Sequence, residues 1–427
     1  MKTSSKLLTL TPLCALFAAG SVHATNGYFS HGYGIKAMGM GGAATALAQD
    51  SMGGATNPAS MVWAGSRLDV GVVAFMPKRD SERSGAQPPG SPINGKVNSD
   101  STLFWVPEFG YNQMINSDMS LGISVYGNGG LNTNYPQGSF NCGGGPANML
   151  CGSGSLGVDL SQLILAPTLA YKLNAQHAVG VSLLLGYQQF KAYGLQAFSP
   201  LSGSAGNLTN NGYDKSTGVG LRLGYQGRLS DALTIGAAYA PKMKMGKFDK
   251  YKGLFAGDGG FDIPSHYNIG VAFMPTPAWT LALDIGRINY GDVPSVSNPS
   301  APQAPLGAAN GPGFGWKDID VVKLGVAWRM SDALTLRAGY NKGDNPITPA
   351  DVTFNILAPG VMKDHYTAGF TYALDKDSEL SGMVMVAPRQ NVAGSSLFNT
   401  LFGPGAGGTE TIGMKQTSIG VAWSRKF

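Results

Sequence analysis

From Ser66 onward the chain alternates apolar with small or polar residues in fourteen stretches, and no unbroken apolar run there approaches the length of a spanning helix. Period-two alternation marks strands with one face in an apolar medium and the other enclosed. Backbone groups in lipid must be paired within the protein, so a chain without spanning helices crosses a bilayer only as a closed barrel. Charged residues make up 13% of the chain, well below a soluble domain, and its 62 glycines and 17 tyrosines suit the same conclusion. The expected fold is all-β: a fourteen-stranded antiparallel transmembrane β-barrel with a small N-terminal plug inside.

The strands are expected at Ser66–Pro77, Thr102–Ile115, Asp118–Gly127, Asp159–Lys172, His177–Phe198, Ser216–Leu229, Ala232–Gly246, Ser265–Met274, Trp279–Tyr290, Asp318–Met330, Leu334–Lys342, Lys363–Leu374, Ser378–Pro388 and Met414–Phe427. Short turns such as Asn116-Ser117 and Ser230-Asp231 alternate strictly with long loops such as Asn128–Val158 and Gly291–Lys317. Short turns face the periplasm in such barrels and long loops face outside. An even strand count then returns both barrel ends to the periplasmic side.

Lys2 and Lys6, the apolar run Leu7–Gly20 and Val22-His23-Ala24 make residues 1–24 a signal peptide; Pro12 interrupts a run already short of the roughly 20 residues a spanning helix needs. Without those two lysines the 30 basic residues become 28 against 25 acidic ones, with no cluster dense enough for nucleic acid. Residues 25–65 are small and glycine-rich and are expected to form the plug, leaving 66–427 as the barrel. Asn57-Pro58-Ala59 is its expected latch, because Pro58 fixes one backbone angle and the Asn57 side chain can cap a turn. Cys142 and Cys151 flank a Gly/Pro-rich loop in an exported chain and are expected to pair, the alternative being two free thiols. No further Cys or His lies nearby, and neither a metal nor a cofactor is expected.

Parity assigns the lumen mostly Gly, Ala, Ser and Thr, with Val73, Phe75, Ile164, Leu184, Met383 and Met385 among them, a lining for a greasy solute rather than a hydrated ion. Arg222, Lys323 and Arg337 also point inward and are candidate partners for a carboxylate; pairing with Asp69, Glu108, Asp284 or Asp50 is the competing role. Leu131, Tyr135, Phe140, Leu195, Phe198 and Leu201 could line a capture groove or simply pack the loops. Trp279, Trp328, Tyr340, Tyr171 and Trp423 fall near strand ends, as an interfacial girdle requires. The last strand places Ile419, Val421, Trp423 and Phe427 outward, with Phe427 as an assembly signal; Arg425 departs from that pattern.

The signal peptide, Asn57-Pro58-Ala59, Phe104-Trp105-Val106-Pro107, fourteen strands and a terminal Phe427 together resemble the FadL/TodX family of outer-membrane transporters. The resemblance covers essentially the whole mature chain. It implies an N-terminal hatch, capture of hydrophobic molecules among the long loops, and sideways exit through a gap beside a kinked third strand. Gly127, Asn128, Gly129 and Gly130 would permit that kink, or they merely begin a loop. The expected function is passive uptake of hydrophobic molecules, long-chain fatty acids first, with aromatic hydrocarbons or a general water-filled porin as alternatives. His31, His177, His266 and His365 fit no nucleophile arrangement, so an enzyme is not expected. Expected partners are the hydrophobic solutes, outer-membrane lipid and lipopolysaccharide, and the barrel-assembly machinery; nucleic acid is not a partner, and the protein is expected to be monomeric.

Overall fold

The alternating stretches form fourteen antiparallel strands in a computed structural model that describes residues 26–138 and 140–427; the expected signal peptide lies outside the described residues. They are β1 (Arg67–Ser84), β2 (Phe104–Met114), β3 (Met119–Tyr135), β4 (Leu156–Lys172), β5 (His177–Tyr193), β6 (Asp214–Arg228), β7 (Leu233–Ala240), β8 (His266–Thr276), β9 (Trp279–Ile288), β10 (Ile319–Arg329), β11 (Leu334–Gly343), β12 (Asp364–Ala373), β13 (Ser378–Ser395) and β14 (Thr409–Lys426). Each pairs with its neighbours in sequence, and β1 pairs with β14 from Arg67↔Lys426 to Ser84↔Thr409. That last ladder closes the sheet into a barrel.

The faces follow parity. On β6, Val219 is 64% exposed and Arg222 only 3%. Val73, Phe75, Ile164, Leu184, Met383 and Met385 are all buried. Trp279 and Trp328 face each other across β9 and β10 at the short-turn end, their rings stacked at 5.5 Å.

Strand ends differ from expectation for two reasons. Pairing outlasts the apolar alternation: Lys78–Ser84 of β1 stays paired with β14, beyond the apolar stretch. Proline can be passed or can stop a strand. β13 runs past Pro388 with a register shift between Ala387 and Gln390, a bulge that spares the missing donor. β7 instead stops at Ala240, where Pro241 cannot continue the ladder, and not at Gly246.

Residues 26–65 lie against the inner wall all round the ring. Asp69 of β1, Glu108 of β2 and Asp284 of β9 each accept backbone N–H groups from this segment. Ser124 of β3 donates to the Ser51 carbonyl, Gln226 of β6 to that of Ala46 and Asn341 of β11 to that of Gly41. The Gly41 amide donates to Thr367 of β12, and Lys36 pairs with Glu379 of β13. Between these holds the backbone touches inward glycines: a Cβ at Gly180 or Gly224 would overlap Pro58, and one at Gly236 would overlap the Thr45 carbonyl. The small lumen positions are thus where the segment's backbone meets the wall.

A bulky residue at such a contact should separate the two parts without harming the wall. Gly224→Leu is expected to leave strand content by circular dichroism unchanged while residues 26–65 become sensitive to protease. Leu223→Val, on the outer face of the same strand, should leave protection as it is.

Candidate functional site

Carboxylates of the wall meet amides of the N-terminal segment in geometries that favour the charged acceptor. Asp284 Oδ2 accepts from the Ala44 amide (2.9 Å), the Thr45 amide (3.0 Å) and the Thr45 hydroxyl (2.7 Å). Asp69 accepts from the Ser51 amide at 2.8 Å and from its hydroxyl, and is itself clamped by Arg67. Hydrogen bonds to a charged group contribute about 1.5–3 kcal/mol each, more than neutral ones. Within the segment, burial raises the Asp50 carboxyl above its ordinary range and lowers the Lys36 ammonium.

Asn57-Pro58-Ala59 is wholly buried at this interface. Asn57 Nδ2 donates to the Thr45 carbonyl (2.7 Å) and to the Tyr225 carbonyl of β6 (2.9 Å), while its Oδ1 accepts from the Ala59 amide and starts a short 3-10 turn. Nearby, the Arg228 guanidinium sits 3.8 Å from the centre of the Trp63 ring.

The long loops supply two apolar spaces. An open groove of ≈ 650 Å³ is walled by Ile93, Phe198, Leu201, Phe398, Leu401 and Phe402, with Cys142 and Cys151 on its rim. The structure bonds those two cysteines, their Cα atoms 5.6 Å apart. A smaller cavity of ≈ 40 Å³ lies behind it, lined by Phe190, Leu195, Phe198, Phe255, Phe314 and Phe354 among others. Phe198 belongs to both. None of the described residues lining either space is charged. Leu131, Tyr135 and Phe140 are buried packing residues and line neither space, which corrects their candidacy for the groove.

From the cavity, aromatic rings continue inward in contact. Phe255 meets Phe261 at 5.0 Å, Phe261 meets Tyr28 at 5.9 Å, and Tyr28 meets Phe29 at 5.2 Å. Tyr290 and Trp316 flank Tyr28, and Tyr290 Oη donates to the Asn26 carbonyl at 2.6 Å. These loop aromatics carried no signal in the sequence, because they sit on irregular segments with no period and meet only in three dimensions.

The ring ladder ends at a break in the wall. β2 and β3 are paired from Met114↔Ser120 only as far as Phe109↔Val125. Beyond that point β3 runs on to Tyr135 with β4 as its partner among the wall strands, and its register shifts between Gly127 and Gly129, with Asn128 as the extra residue. Gly127, Asn128, Gly129 and Gly130 therefore lie within a bulged strand rather than a loop. A hollow of ≈ 480 Å³ on the outer face reaches this region, bordered by Val72, Pro107, Glu108, Phe109 and Val125.

The three candidate cations separate. Arg222 and Lys323 line one small space beside Phe29 and His266. Arg222 is already engaged there, donating to the Gly54 carbonyl (2.8 Å) and the Tyr126 hydroxyl (3.0 Å), with its second terminal nitrogen 2.9 Å from His266 Nε2. Arg337 lies elsewhere, in a polar mouth of ≈ 700 Å³ at the short-turn end with Arg228 and Arg329. Phe427 ends the chain exposed, its amide donating to the Ser66 carbonyl at 3.2 Å.

Residues 16–386 match the family model of outer membrane protein transport proteins (OMPP1/FadL/TodX). No curated protein sequence matches significantly. Among solved structures, the toluene transporter TodX of Pseudomonas putida aligns at 20% identity over 93% of this chain and 99% of its own, with a TM-score of 0.69. The toluene transporter TbuX of Ralstonia pickettii aligns at 16% identity over 93% and 99%, with a TM-score of 0.64. A FadL homologue of Pseudomonas aeruginosa aligns at 15% identity over 96% and 100%, with a TM-score of 0.65.

Removing a wall acceptor should loosen the amides it holds. Asp284→Ala leaves the Ala44 and Thr45 amides without their partner, and roughly thirtyfold faster hydrogen exchange at residues 44–45 is expected. Asp284→Asn, whose carbonyl can still accept, should fall between it and the wild type.

Proposed function

The chain belongs to this outer-membrane transport family, and we propose that it is a passive channel for small uncharged hydrophobic molecules, aromatic hydrocarbons foremost. The reading is carried by one observation: none of the described residues lining the loop groove and the cavity is charged, and aromatic rings continue from there to Phe29. A solute gains about 0.8 kcal/mol for each CH₂ it buries, so such a route draws apolar molecules inward without directed hydrogen bonds. A carboxylate on the same route would lose its hydration and meet no cation until Arg222 and Lys323.

In this reading the solute is captured in the groove and passes Phe198. Residues 26–65 act as a hatch with Asn57-Pro58-Ala59 as its latch, and the solute leaves sideways between β2 and β3 into lipid. The hatch must shift because Tyr28 and Phe29 stand between the ring ladder and the gap. Long-chain fatty acids are the second reading, favoured by Lys323, whose ammonium lines the inner space beside Arg222.

Uptake by cells lacking their own transporter separates the two. Labelled toluene should enter with the wild-type protein and at least tenfold faster than oleate. Phe198→Ala and Asn57→Ala should each lower toluene entry several-fold. If oleate enters faster and Lys323→Ala abolishes that entry, the fatty-acid reading replaces the first; entry of neither rejects both.

A further inference from the structure

Residues 28–35 run along the inner side of the gap between β2 and β3 and hold both of its lips. On the β3 lip, Phe29 bridges Gly129 in antiparallel fashion and the Gly130 amide donates to the Tyr28 carbonyl at 3.1 Å. The Ser30 amide (3.3 Å) and the Tyr33 hydroxyl (3.0 Å) both donate to the Asn128 carbonyl. These bonds satisfy part of the strand edge that β2 leaves uncovered, an edge that cannot stay bare beside lipid.

On the β2 lip, among the described residues, the side chain of Glu108 does the holding. Glu108 Oε2 accepts from the Gly34 amide at 3.1 Å and Oε1 from the Ile35 amide at 3.0 Å. Glu108 is the first β2 residue beyond the last pair with β3, and it also borders the lipid-facing hollow. The other two wall carboxylates that hold the segment's backbone act elsewhere, Asp69 on Ser51 and Asp284 on residues 44–45.

We propose that Glu108 is the positioning residue of the lateral gap: the pivot on which the 28–35 strap swings away from β3 and returns. A solute arriving along the ring ladder meets Tyr28 and Phe29, the residues joined to β3, whereas both oxygens of one side chain hold the successive Gly34 and Ile35 amides beyond the ladder, so the β3 lip lets go first. Gly34 and Ile35 stay fixed, and the strap closes again on the same register. The proposal takes its functional meaning from the lateral-exit reading, but its geometry can be tested without any solute.

Hydrogen exchange on the full-length protein in lipid nanodiscs tests it, with toluene as the probe. In the wild type, toluene should raise exchange at Gly130 and Ser30 and leave Gly34 and Ile35 protected. Without toluene, Glu108→Ala should raise exchange over residues 28–38 roughly tenfold and leave residues 44–45 unchanged. Glu108→Gln, nearly isosteric and still able to accept one bond, should give an intermediate rise. Unchanged exchange over 28–38 in Glu108→Ala would overturn the proposal, as would an equal rise throughout 26–65 or release of Gly34 and Ile35 before Gly130. Should Glu108→Ala loosen only the strap while the wild type takes up no apolar solute, the pivot stands and the transport reading fails.

Discussion

A barrel wall in lipid has no water to satisfy its backbone, and here the demand is met by one continuous ladder that ends where it began. β1 is paired along all 18 of its residues with β14, so neither terminal strand presents an edge. Closure fixes the alternation of faces, and alternation fixes a lumen. A lumen of fourteen strands is too wide for side chains alone to fill. Residues 26–65 lie against its wall, their backbone laid on inward glycines and their amides on Asp69, Glu108 and Asp284. Carboxyl acceptors fixed in the wall hold a glycine-rich segment that has little side-chain surface of its own to bury.

The same demand makes the interruption between β2 and β3 informative. Between these two neighbours the wall is left open beyond Val125, where β3 bulges at Asn128. The uncovered edge is met partly by Tyr28 and Ser30 from inside, so the opening and the N-terminal segment form one device. The aromatic contacts running from the loop cavity end at those same residues. The ring contacts, the N-terminal segment and the unpaired edge of β3 therefore meet at one place in the molecule.

The wall was legible in the sequence because its signal is local and repeated. Val322, Leu324 and Trp328 against Lys323 and Gly325 give the face of β10 without reference to any other strand. Strand ends were less so, since Lys78–Ser84 pairs after apolar alternation has faded and Pro388 is absorbed by a bulge. The site was legible only in part. Asn57 could be singled out as a turn-capping residue, but its bond to the Tyr225 carbonyl joins groups 168 residues apart. Arg222, Lys323 and Arg337 share parity but not height along the barrel, and parity alone cannot separate them. Phe255, Phe261 and Trp316 lie where the chain has no period, so nothing local announces that their rings converge.

In the proposed function, residues 26–65 close an apolar-lined barrel to water and ions. Conductance of the purified protein in a planar bilayer tests it most directly, comparing the full mature chain with one lacking residues 26–64. A nearly silent full-length protein is expected, with a steady large conductance once the segment is gone. A full-length protein that conducts ions steadily, with no change on deletion, would contradict it.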